Sequence, residues 1–313
     1  MPIPNLSVII CSHNPNPSYL NEALAALRNQ TQAKEGWELI LIDNASDTDL
    51  SKSFDLSWHP NARHCREEKL GIVFARIRAM QEAKADLILF VDYDNILNPD
   101  YIEKGLAKAK EWPIIGAWGG QLLARFECEP PEWTRQYWKY LGIRKLDRDK
   151  WSNLIHQYES TPAGAGMFLR KPVWLHYLEI FKLEPKRAWL GTVGKTITRC
   201  EDSDLAFCAC DIGLGTARFK ELILTHIMPK ERLQEDYMQK LIEGTVYSMV
   251  VLESFRGKNP YVSKKSLIGI LLDRISVMRL PERQRKFFFA EKRGFKKACK
   301  DLKIKLRRFA RIC

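Results

Sequence analysis

The sequence predicts an α/β fold in which a mainly parallel sheet lies between helices. Three observations support this. Short β-branched runs, LSVIICS at 6–12, WELILI at 37–42 and ADLILFV at 85–91, have the length and composition of buried strands. Helical periodicity fills the intervals: Asn16 and Pro17 form an N-cap and a first-turn proline ahead of YLNEALAALRNQ, and residues 71–84 repeat at helical spacing. The breaks between these runs are short, and strand–helix–strand alternation of that kind builds parallel sheets.

Each of the three strands ends in polar residues: Ser12 and Asn14, Asp43 and Asn44, Asp92 and Asp94. Ligands of open α/β sheets bind beyond the carboxyl ends of the strands, so these residues are expected to line one crevice. Two phosphate-binding devices are absent. No G-x-G-x-x-G follows the first strand, and GTVGKTIT at 191–198 lacks the earlier glycine of a P-loop. Farther on, residues 118–190 are rich in aromatics, most of them expected in the core. TPAGAGMFLRK supplies small residues at 163–166 that permit close backbone approach to a ligand. CEDSDLAFCACDIG reads as an acidic helix start followed by an apolar face, and FKELILTHIMP as a last strand ending in His226. The chain beyond about residue 232 reads as helical.

The composition suits a globular protein. Of 313 residues, 45% are hydrophobic and 28% charged, which excludes disordered and collagen-like classes. No stretch approaches the roughly 20 apolar residues of a membrane span. MPIPNLSVII has neither a basic region nor a cleavage-like site, so no secretory signal and a cytoplasmic location are expected. The net charge of +12 is uneven: residues 256–313 hold 19 Lys/Arg against 4 Asp/Glu, while the first 255 residues are close to neutral. None of the eight cysteines forms C-x-x-C, and Cys208 and Cys210 are expected as buried thiols rather than metal ligands.

Several side chains are candidates for chemistry. In an extended chain Asp92 and Asp94 face the same way, and paired carboxylates suit Mg²⁺ or Mn²⁺ carrying phosphates. Asp43 could accept from a base or ribose, or open an Asx turn. Arg76 could face a diphosphate or solvent. Glu201, Asp202 and Asp204 either complement a helix N-terminus or include a general base. His226 is a candidate third metal ligand or a structural histidine.

These motifs, in this order, resemble those of the family 2 glycosyltransferases, inverting enzymes with the GT-A fold, a Rossmann-like nucleotide-sugar-binding architecture. SVIICSHN is similar to the family's SVIIPTYN opening, with Cys11 and His13 at the Pro and Tyr positions. ELILIDNASDT, KLGIVFARIRAM, LILFVDYDN, AGAGMFLRK and CEDSDLAF resemble its D-x-S strand, G-x-x-x-A-R helix, D-x-D strand, acceptor segment and E-D motif. The resemblance spans roughly residues 5–232.

By resemblance, Cys11, Ser12, Asn14 and Asp43 would line the nucleotide, with Ser12 and Asp43 on the base. Arg76 would contact the diphosphate, with Arg232 near it. Asp92 would touch the ribose or metal, and Asp94 and His226 would ligate the metal. Asp202 would be the catalytic base, beside Glu201 and Gly166 at the acceptor site. The implied cofactor is Mn²⁺ or Mg²⁺, the donor a UDP-sugar by family default, and the acceptor a glycan or lipid-linked hydroxyl. The Q-x-x-R-W motif of processive members is absent, so a single addition is implied.

The expected domains are a catalytic domain at 1–235 and a helical, basic extension at 236–313. Within the extension, Leu267, Leu271, Ile275 and Met278 share one helical face, and Phe295, Ala298, Leu302, Leu306 and Phe309 share another. Such a basic amphipathic tail is expected either to lie on an anionic membrane, at its inner face, or to pack on the catalytic domain. No recognised module points to nucleic acid. Two other classes compete. A sugar nucleotidyltransferase would want a Gly-rich basic loop after the first strand, which CSHNPNPS is not. A non-enzymatic basic binding protein leaves the ordered acidic strand ends unexplained.

Overall fold

The first strand decides the layering. In LSVIICS, every residue is buried, and alternate side chains enter opposite cores. Leu6, Val8 and Ile10 join one core; Ile9 and Cys11 join the other. A sheet fed this way must be covered on both faces.

The computed structural model describes residues 4–194, 196–258, 263–264, 276–304 and 310–311. The chain forms two compact units, Met1–Ala188 with Glu201–Lys230, and Trp189–Cys200 with Glu231–Cys313. In chain order the first unit contains β1 (Leu6–Ser12), α1 (Pro17–Arg28), β2 (Trp37–Asn44), β3 (Ala62–Glu67), α2 (Ile72–Glu82), β4 (Leu87–Val91) and β5 (Asn95–Leu97). It continues with α3 (Tyr101–Glu111), β6 (Ile115–Phe126), β7 (Lys150–Ser152), β8 (Met167–Arg170), α4 (Lys171–Leu183), α5 (Glu201–Asp211) and β9 (Gly215–Met228).

The sheet order is β3-β2-β1-β4-β8-β6-β9-β5, with β7 also on β9. From β3 to β4 all pairs are parallel, as expected. The far half is mixed: β8 runs against both β4 and β6, β6 and β9 are parallel, and β5 and β7 run against β9. Helices α1 and α3 cover one face; α2, α4 and α5 cover the other. Asn16 caps α1 as expected, its side chain accepting from the Ser18 N–H at 2.9 Å. Strand β3, ARHCRE, was not foreseen, because it is only partly buried and has no apolar run. Charged residues on an edge strand also discourage pairing with other chains. The last strand runs two residues past His226, to Met228.

The α3 side of the core is organised by an aromatic stack. Phe168 lies between Trp118, at 5.3 Å and 3° between planes, and Tyr101, at 5.8 Å and 12°. All three rings are buried, and Gly105 of α3 gives Phe168 its space: a Cβ there would fall 2.0 Å from the ring.

In the second unit, α6 (Glu235–Phe255) packs against α7 (Glu282–Asp301). Gly294 lets the helices approach, since its Cβ would meet the Glu243 carbonyl. Glu235 pairs with Arg283 at 3.0 Å and Lys286 at 3.1 Å, and Glu243 with Arg293 at 2.7 Å. This packing corrects the expected tail face. Phe295 and Ala298, assigned to a membrane- or domain-facing stripe, are buried in the helix pair together with Phe287 and Cys299. Leu267, Leu271, Ile275, Leu306 and Phe309 lie outside the described residues. Among the described residues no helix is long and apolar enough to cross a membrane.

Truncating Phe168 should remove the centre of the aromatic stack. Phe168→Ala is expected to cost about 3–5 kcal/mol, read as a lowered urea midpoint with unchanged slope.

Candidate active site

Parallel register brings the strand ends together. Ser12 pairs with Asp43 across β1 and β2, and Ile10 with Val91 across β1 and β4. The loops that follow are tied to each other. The Asn14 N–H donates to Ser46 Oγ at 2.9 Å, while the Asn14 side chain and Asp47 exchange two hydrogen bonds of 2.9 Å. Asn14 and Ala45 both take positive φ, 44° and 53°, so two non-glycine residues are held in a disfavoured conformation at this edge.

The Asp43 carboxylate accepts from the Ser46 and Leu50 N–H groups, at 2.9 and 3.3 Å, and from Arg66 at 2.7 Å. Burial alone would raise its pKa, but these donors outweigh burial and hold it below the usual range. At 2% exposure it shapes the 44–50 loop, as the Asx-turn reading expects. Arg66 was missed; its signal is the β2–β3 register, which sets it opposite Asp43. Cys11 is buried, and burial pushes its thiol up to about 12. Ser12 presents a buried hydroxyl that finds no hydrogen-bond partner among the described residues.

The D-x-D segment is not extended. The Asn95 N–H donates to the Asp92 carbonyl at 3.0 Å, closing a turn between β4 and β5. The turn gives each carboxylate its own nearest partner, while Asp92 still feels the charges of Asp94 and His226. Asp92 faces Arg76 at 3.8 Å, and Asp94 faces His226 Nε2 at 3.3 Å. His226 is placed by β9, where it pairs with Asn95 of β5.

Arg76 is the central charge. It is 4% exposed, which excludes the reading of a solvated surface charge. Its guanidinium lies 3.3 Å from Glu201 and 3.8 Å from Asp92 and above the Phe90 ring. Burial opposes its charge, but Glu201, Asp92 and Asp202 more than offset this and raise its pKa. Glu201 responds in the opposite sense: burial raises its carboxyl to about 7, against the pull of Arg76.

Asp202 follows Glu201 in the first turn of α5. Its Oδ1 accepts from the Ser203 N–H and its Oδ2 from the Gly164 N–H, both at 2.8 Å. The acids thus complement the positive start of the helix, and Asp202 also faces the small-residue segment. Gly164 is required there, because a Cβ would lie 2.3 Å from the Arg76 guanidinium. Gly166 has φ +73°, donates its N–H to the Phe90 carbonyl at 2.9 Å and accepts from the Tyr101 hydroxyl at 2.7 Å. Behind the turn, Arg187 holds the fully buried Asp204 through both carboxylate oxygens at 2.5 and 2.7 Å. Arg187 was also missed, and a pairing across 17 residues of irregular chain leaves no sequence signal. Arg232 belongs to the second unit, in the turn Lys230–Leu233.

The first unit thus gathers Arg76, Asp92, Gly164, Glu201 and Asp202 into one contiguous network, with Asp94 and His226 joined to it through the 92–95 turn. Residues 7–170, just over half of the chain, match glycosyl transferase family 2, and the chain belongs to that family. It is 24% identical over 298 residues to an N-acetylglucosaminyltransferase of Rhizobium leguminosarum bv. viciae, covering 88% of this chain and 65% of that protein. It is 28% identical to an N-acetylglucosaminyltransferase of Rhizobium meliloti over 293 residues, with the same coverage. The chain therefore spans just under two thirds of these relatives' length. TarS residues 1–349 of S. aureus, solved in complex with UDP-GlcNAc, has the same fold, with a TM-score of 0.53 and 14% identity over 91% of this chain and 79% of that one.

Because Glu201 is held near 7, the fold favours its protonated form. The stability it contributes is fully present at low pH and is lost as pH rises through about 7. The stability of the wild type relative to Glu201→Gln should therefore fall across that interval in urea melts. A flat difference would show Glu201 ionised at an ordinary carboxyl pKa.

Proposed function

We propose that this protein is an inverting glycosyltransferase that moves a sugar from a UDP-sugar to a hydroxyl of a glycan or lipid-linked acceptor. The observation that carries this reading is the network joining the D-x-D turn, Arg76 and the acidic start of α5 in one crevice. Family membership and the N-acetylglucosaminyltransferase relatives support it, and they favour UDP-GlcNAc as the donor to try first.

Asp94 Oδ2 and His226 Nε2 approach within 3.3 Å, and an oxygen–imidazole pair that leaves positions for phosphate and water suits Mn²⁺ or Mg²⁺. Such an ion would neutralise charge on the leaving diphosphate. The chain's own residues do the rest. Arg76 adds fixed positive charge beneath the crevice, at no reorganisation cost during reaction. Asp202 takes the proton of the acceptor hydroxyl, oriented by its two backbone donors. That hydroxyl attacks the anomeric carbon from the face opposite the diphosphate, and the single displacement inverts configuration.

We also assign the protein to the cytoplasmic face of an anionic membrane. Lys296 and Lys300 are exposed on α7, whereas its apolar stripe is committed to α6. Attachment would thus be electrostatic, and flotation with anionic liposomes should be abolished by raised salt. Flotation that survives salt would contradict it.

Thermal-shift titration with UDP, GDP and dTDP, each with Mn²⁺ or EDTA, tests the donor site. UDP with Mn²⁺ should raise Tm, and Asp94→Ala should abolish the shift. Asp202→Asn should lower transfer from UDP-GlcNAc by roughly 10²–10⁴-fold, the usual worth of a general base, while leaving the UDP shift intact. Loss of that shift in Asp202→Asn would make the residue structural.

A further inference from the structure

The far end of α5 gathers a second set of ligand-type side chains. His176 of α4, and Cys208 and Asp211 of α5, place Nε2 or Nδ1, Sγ and a carboxylate oxygen within 4.8 Å of one another. His176 Nε2 and Asp211 Oδ2 are already 3.5 Å apart. Ligands around a tetrahedral zinc ion stand roughly 3.5 Å apart, so small side-chain rotations would close the set. Cys208 and Asp211 are three residues apart and share one helix face, and α4 supplies the third ligand from the neighbouring helix. The location is not the crevice. Cys208 and Asp211 lie roughly 9–14 Å along the helix axis from Asp202.

Three features of this place suit a cation. Asp211 is the last residue of α5, where the helix dipole is negative. Sulfur, imidazole and carboxylate together form a borderline-soft set that favours Zn²⁺ over Mg²⁺ or Ca²⁺. Cys208 is fully buried while the His176 and Asp211 side chains are 27% and 25% exposed, which gives an entry path and a water-accessible fourth position. The Cys208 thiol donates to the Asp204 carbonyl at 3.4 Å, a weak bond.

We propose that His176, Cys208 and Asp211 form a transition-metal site, fitted to Zn²⁺, that ties α4 to α5 independently of the nucleotide crevice. As the sulfur–metal bond forms, the thiol proton leaves to solvent. The ion clamps the helix whose opposite end carries Glu201 and Asp202.

Co²⁺ titrated into the full-length protein is the test. One equivalent should produce a near-ultraviolet thiolate-to-cobalt charge-transfer band with strong visible absorption of tetrahedral cobalt, and Zn²⁺ should displace both. The crevice offers no sulfur ligand in Asp94 and His226, so Asp94→Ala should keep the band. Cys208→Ser and His176→Ala should each lose it. His176 is partly exposed, so its variant remains informative if Cys208→Ser fails to fold. No charge-transfer band in the wild type, or one retained in folded His176→Ala, would overturn the proposal.

Discussion

A single buried guanidinium organises the candidate site. Arg76 is almost inaccessible to water, and a buried cation is tolerated only when carboxylates surround it. Asp92 from the D-x-D turn and Glu201 from the start of α5 supply them. Because these two acids come from elements more than a hundred residues apart, satisfying Arg76 requires α2, the end of β4 and the start of α5 to meet. The same guanidinium also fills the space beside Gly164, whose N–H holds Asp202. One residue thus links the donor side of the crevice to the proposed base.

The scaffold makes that meeting rigid. Parallel pairing of β3, β2, β1 and β4 fixes the register of the strand ends, so the loops after β1 and β2 are positioned before any ligand arrives. Hydrogen bonds between Asn14, Ser46 and Asp47, with the inward carboxylate of Asp43, then lock those loops. Positive φ at Asn14, Ala45 and Cys200 places strained backbone at three of the junctions that border the site. On the opposite face, the stack of Trp118, Phe168 and Tyr101 reaches the site through the Tyr101 hydroxyl, which bonds the Gly166 carbonyl.

Strands β1, β2 and β4 were legible because they are apolar runs, and the helices between them are punctuated by Asn16–Pro17 and Gly71. The mixed half was less so. Strands β5 and β7 have three residues each, and β3 has no apolar run, so hydrophobic pattern could not reveal them. At the site, residue types announced the chemistry while their directions stayed hidden. Asp43 reads as a ligand-binding carboxylate or the start of an Asx turn, and its loop and Arg66 take three hydrogen bonds to it. Asp92 and Asp94 read as a pair in an extended chain; the chain instead turns through Asn95 and gives them different nearest partners, Arg76 and His226. Arg76 reads as either a diphosphate contact or a solvated charge on a helix, and only packing reveals that it is buried. In the second unit, the apolar stripe at Phe295 and Ala298 is real, but α6 occupies it.

The central claim is that Arg76 and Glu201 act as a coupled pair. A double-mutant cycle in urea denaturation, using Arg76→Met, Glu201→Gln and the double variant, measures it directly. Each single change leaves a buried polar group without its partner. The double variant should therefore be more stable than the sum of the single losses predicts, by about 1 kcal/mol or more. Strict additivity would contradict the account, since it would mean that the guanidinium and the carboxylate are neighbours without being partners.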